Sequence, residues 1–92
     1  MTVERLQLGQ LVSSKAGRDC GQHYLIVGKS EEGFVFVSDG RRRGLANPKK
    51  KNSRHLIYHR ERAMDLGRKL GAGKKVTDEE IREALAEFGW EG

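Results

Sequence analysis

The sequence predicts a mainly β domain that ends in a short helical extension. Two strongly apolar runs, "HYLIVGKS" at residues 23–30 and "FVFVSDG" at residues 34–40, are separated only by "EEG", the pattern of a β-hairpin. Gly, Asn, Ser and the single proline, Pro48, punctuate the stretch that follows, so further strands there are short. Beyond Arg60 the apolar residues change to helical spacing. The 92 residues allow one small domain with a modest core. We read a β unit over residues 1–59 and a helical extension over residues 60–92 that packs on it.

Each element follows from its residues. "LGQLVSS" at residues 8–14 has strand character around Leu11 and Val12. Gly17, Asp19 and Gly21 make the next segment a turn-rich loop. In the hairpin, Gly33 is placed to supply a positive φ. Both hairpin strands are apolar at successive positions, residues 24–27 and 34–37. A sheet with one wet face alternates, so here both faces need cover. Leu45-Ala46 and residues 55–58 read as short strands, with the basic residues in the connections between them. Ala63, Leu66 and Leu70, with Met64 beside them, predict a short helix stopping near Gly71 or Gly73. "TDEE" at residues 77–80 is a capping-box signature. Ile81, Ala84, Leu85 and Phe88 then recur at amphipathic helical spacing, and Gly89 ends the run. That helix is expected to cover the sheet, the alternative being a protein partner; Trp90 either extends the contact or lies on the surface.

Charge points to the partner. The net charge is +5, unevenly placed. Residues 1–40 carry four basic and five acidic side chains, residues 41–75 thirteen and two, and residues 76–92 one and six, giving balances of −1, +11 and −5. A basic centre of this density implies an anionic partner, nucleic acid first. The lone cysteine, Cys20, excludes an intramolecular disulfide and fits a reducing compartment. No stretch resembles a signal peptide or a membrane span, so a soluble cytoplasmic protein with no membrane partner is expected.

The stretch "GQLVSSKAGRDCGQHYLIVGKSEEGFVFVSDG" resembles the KOW motif. Val12, Gly17, Gly21 and residues 24–27 take the places of its first strand, glycine loop and second strand. The continuation "DGRRRGLANPKKKNSRHL" is similar to KOW-type proteins of the large ribosomal subunit and to small bacterial KOW-domain RNA-binding proteins. The resemblance spans residues 8–58 and leaves the helices aside. It implies a small SH3-like (KOW) β-barrel with a short C-terminal helical extension. It also implies non-enzymatic binding of structured, ribosomal RNA or of the ribosome. KOW units also occur in transcription factors, so a transcription- or translation-factor-like protein-interaction module is the alternative.

The expected RNA-binding residues are Lys15 and Arg18 in the glycine loop, and Arg41, Arg42, Arg43, Lys49, Lys50, Lys51, Arg54 and His55 in the basic stretch. Arg forks onto two phosphate oxygens and Lys acts as a point charge. His55 and Tyr58 are weighed as base-stacking groups, against roles in a turn and in the core. Cys20, His23, His55 and His59 make a zinc-ligand set on paper. With a single Cys and no geometric support, no metal, no cofactor and no catalytic residue are expected.

Overall fold

The computed structural model describes residues 6–30 and 32–89; Trp90 lies outside them. Five antiparallel strands form one sheet: β1 (Gln10–Ser14), β2 (His23–Lys29), β3 (Phe34–Ser38), β4 (Lys49–Asn52) and β5 (Leu56–Arg62). Their order across the sheet is β4-β3-β2-β1-β5, so β4 and β5 are its edges. Two helices follow, α1 (Met64–Gly71) and α2 (Asp78–Glu87). No helix among the described residues is long and apolar enough to cross a membrane.

The continuous apolar runs are explained by two cores, one on each face of the sheet. Side chains alternate along a strand. Val12, Tyr24, Ile26, Val35, Val37 and Leu56 point to one side and pack together with Leu6. Leu11 and Leu25 point to the other, where Leu66 of α1 and Ile81, Ala84 and Leu85 of α2 cover them. Ile81 is fully buried and Leu85 nearly so. Each such side chain stabilises by roughly 1.5–3 kcal/mol before entropy is counted. The hairpin pairs as its sequence suggests, Ile26 opposite Val37, with a bulge between Ile26 and Gly28. Gly33 turns it at φ +83°. The capping box is present: the Thr77 hydroxyl accepts from the Glu80 N–H, and the Glu80 carboxylate accepts from the Thr77 N–H.

Three expectations need correction. Lys49, Lys50 and Lys51 do not sit in a connection; they form edge strand β4, paired with Val37, Phe36 and Val35. Leu45-Ala46 is a turn, because Leu45 packs toward the helix-covered core instead of pairing. The strand near residue 58 starts at Leu56, after a 3₁₀ turn at Ser53–His55, and runs on to Arg62. Pairing of Gln10 with Arg62 and the bond from Arg62 Nε to the Leu8 carbonyl (3.1 Å) extend the ladder beyond the change of period at Arg60.

Candidate nucleic-acid interface

Two loops and an edge strand converge on one side of the sheet. The β1–β2 loop is organised by Asp19. Its Oδ1 accepts from Ser14 Oγ (2.9 Å) and Lys51 Nζ (2.9 Å). Its Oδ2 accepts from the Tyr24 hydroxyl (2.8 Å) and pairs with Lys49 Nζ at 3.1 Å. Burial pushes this carboxyl up, but the bonds from Lys51, Tyr24, Ser14 and Lys49 outweigh it and hold the group well below the usual carboxylate range. Burial and the bond to Asp19 push the Tyr24 hydroxyl up.

Pleating gives the three lysines of β4 different surroundings. Lys51 points inward and is 9% exposed, its ammonium also reaching Ser14 Oγ at 2.9 Å. Lys49 points to the same side but stays partly exposed. Lys50 points to the opposite face, its Nζ 4.7 Å from the centre of the Phe34 ring. The expectation of three exposed phosphate contacts therefore fails for Lys51, whose charge is buried against Asp19.

The β3–β4 loop is built around Asp39, the lone acid of the basic stretch. Its carboxylate turns inward and accepts from the backbone N–H groups of Arg41 (2.9 Å) and Arg43 (3.0 Å) and from Gln22 Nε2 (3.3 Å). Ser38 Oγ donates to the Arg43 carbonyl at 2.7 Å. From outside, α2 clamps the same loop. Asp78 Oδ1 accepts from Leu45 N–H (2.7 Å) and Arg82 Nη1 donates to the Gly40 carbonyl (2.6 Å). Gly40 has φ +73°, and a Cβ there would lie 2.5 Å from the Asp78 carbonyl oxygen. Only glycine lets helix and loop approach this closely. Arg41, Arg42 and Arg43 thus ride on a loop fixed from both sides by backbone bonds.

Arg18, Arg42, Arg43 and Lys49 line a single cleft of about 480 Å³ between these loops, with Asp19, Asp39 and Tyr24 also in its wall. Both carboxylates are engaged by protein donors, which leaves a cationic surplus facing the cleft. The remaining expected residues lie apart from its lining. Arg41 is exposed on the same loop. Lys15, Arg54 and His55 are exposed near the end of β1, where the Lys15 N–H donates to the His55 carbonyl at 3.0 Å. Tyr58 packs against the inner core and its hydroxyl donates to the Ser53 carbonyl, so it fills the core role and is not free to stack on a base.

Of the paper zinc set, His23 and His59 come together, rings stacked with centroids 5.3 Å apart. His59 Nε2 lies 3.0 Å from Ser13 Oγ. Burial and the neighbouring His59 hold the His23 imidazole below its ordinary value. Cys20 is exposed. Among the described residues no group of three or more His, Cys, Asp or Glu is placed to hold a metal ion.

Asp19, Asp39 and Asp78, which build the site, escape a reading that looks for cations. Asp39 had a local signal: "SDG" before a basic run is turn chemistry in which the Asp caps following N–H groups. Asp19 pairs with a lysine 32 positions away, which no local pattern announces. No protein-family model matches this chain, and no curated protein matches its sequence.

Proposed function

We propose that the protein is a non-enzymatic RNA-binding module of the KOW type, its sheet an SH3-like barrel, acting on structured ribosomal RNA or on the ribosome. The carrying observation is the cleft in which Arg18, Arg42, Arg43 and Lys49, drawn from three segments of chain, face one space. Buried Asp39 and part-buried Asp19 fix the loops through backbone and lysine donors, and the guanidinium groups are left for an outside anion. Fixed cations suit a phosphate backbone, since less side-chain entropy is lost on contact. RNA is favoured over DNA by the resemblance of residues 8–58 to KOW proteins and because α2, the longer of the two described helices, is acidic and unsuited to reading a groove. Recognition would rest on phosphate positions and helix shape.

The test is RNA binding across a salt series, comparing the wild type with Arg42→Ala/Arg43→Ala. Arg43 holds the loop through its backbone N–H and carbonyl, so truncating the two side chains leaves the fold intact. Each lost phosphate contact should flatten the log–log salt slope by roughly one unit, about two in all. A folded double variant with unchanged affinity and slope refutes the proposal and favours the protein-interaction alternative.

A further inference from the structure

A second surface lies on the helices, well suited to a different partner. A groove of about 380 Å³ runs between α1 and α2. Met64, Ala84 and Phe88 give it an apolar lining, and its charged lining is four acids, Asp65, Glu80, Glu83 and Glu87, against Arg62 and Lys69. Met64 is 58% exposed. One pair crosses the groove, Lys69 Nζ to Glu80 Oε2 at 2.8 Å. Asp65, Glu83 and Glu87 make no ion pair among the described residues.

Left to itself, α2 is built against its own interest here. Glu79, Glu83 and Glu87 recur at intervals of four, and like charges so spaced repel along one helix face. The last turn of α2 carries no basic residue, although the negative end of the helix dipole lies there and a cation would stabilise it. Both features place uncompensated negative charge beside exposed apolar atoms. Local choices that disfavour an element on its own are characteristic of functional surfaces.

We infer that this groove docks a lysine- or arginine-rich protein segment carrying apolar anchors, an amphipathic basic helix being the form that fits between two helices. The anchors would meet Met64 and Phe88; methionine adapts its shape to such insertions. The basic residues would meet Glu83, Glu87 and the C-terminal end of α2, relieving the repulsion. RNA is disfavoured as occupant because its phosphates would face the same acids. The surface is separate from the basic cleft, so the inference does not depend on the RNA reading.

The experiment is an NMR titration of the full chain with three synthetic probes: a basic amphipathic peptide with leucines at i and i+4 among lysines, its glutamate-for-lysine counterpart, and an oligolysine of equal charge. The basic amphipathic peptide should shift amides of Met64, Leu66, Ala84 and Phe88 saturably. It should bind at least tenfold more tightly than either other probe. Glu83→Gln/Glu87→Gln should weaken it about tenfold while leaving RNA affinity unchanged. That variant removes repulsion, so its melting temperature should not fall, which separates lost binding from lost folding. Equal binding of oligolysine, shifts centred outside the groove, or occupation of the groove by a second copy of the chain would each overturn the inference.

Discussion

Replacing Lys51 by methionine keeps the length of the side chain and removes its donors. The wild-type ammonium donates to Asp19 Oδ1 and Ser14 Oγ, both at 2.9 Å, from a residue only 9% exposed. Breaking a fully buried ion pair costs about 3–5 kcal/mol. Asp19, however, retains Lys49 and the Tyr24 hydroxyl, so the loss is nearer that of one charged hydrogen bond, about 2 kcal/mol. For a chain of this size that lowers the melting temperature by roughly 8–16 °C. Lys50→Ala is the control. It loses only an exposed contact with Phe34, worth about 0.5–1 kcal/mol.

Acid dependence provides a second readout. The Asp19 carboxyl is depressed in the folded protein, so between its folded and unfolded values the unfolded chain binds more protons. Its contribution is fully present above the unfolded value of about 3.9 and is lost as pH falls toward the folded one. Lys51 supplies the first of the lowering bonds, so Lys51→Met should flatten the loss of stability below about pH 4. Thermal and urea unfolding at several pH values, followed by circular dichroism, measure both effects. If Lys51→Met melts like Lys50→Ala and keeps the wild-type acid profile, the network contributes no net stability and the reasoning fails.

Two further outcomes are expected. Asp78→Ala removes the acceptor of Leu45 N–H and should cost about 1–2 kcal/mol; it should also weaken RNA binding without changing the salt slope, since no cation is lost, and a flattened slope would contradict the positioning role. His23 is held below its ordinary value by burial and by His59, so the unfolded chain takes up the proton first and stability should fall as pH drops below about 6.5. His59→Gln should lessen that fall in urea titrations at pH 7.5 and 5.5, and an unchanged difference would remove the imidazole pair as its cause.

The parts of the fold legible in the sequence are those written in local periodicity. The hairpin, the positive φ at Gly33 and the capping box at Thr77 and Glu80 are each specified within a few residues. The doubly apolar strands even implied the helices' covering role, because Leu25 and Ile26 must both find cover. The composition of "PKKKN" at residues 48–52 hid β4. Three lysines in a row look like a solvated loop, since strand propensity is low and no apolar alternation shows. What makes the strand is nonlocal: a ladder to β3 and a carboxylate 32 positions away in the β1–β2 loop. The same holds for the site, where the cations were visible but the roles of Asp19 and Asp78, which bond across 32 and 33 positions, were not.

Formal charge overstates what a partner meets. Residues 39–56 hold seven basic side chains and one acid, yet Lys51 is buried on Asp19, Lys49 shares that carboxylate, and Lys50 leans over Phe34 on the other face. Arg42 and Arg43 line the cleft with Arg18 across it. Arginine is the cation that can grip two phosphate oxygens in a fixed plane. Their loop is fixed by Asp39 within and by Asp78 and Arg82 without. The acid helix therefore supports the basic loop at its N-terminal end and carries Glu83 and Glu87, without ion pairs among the described residues, toward the other. One small scaffold thus carries a basic cleft and, apart from it, an acidic groove between the helices.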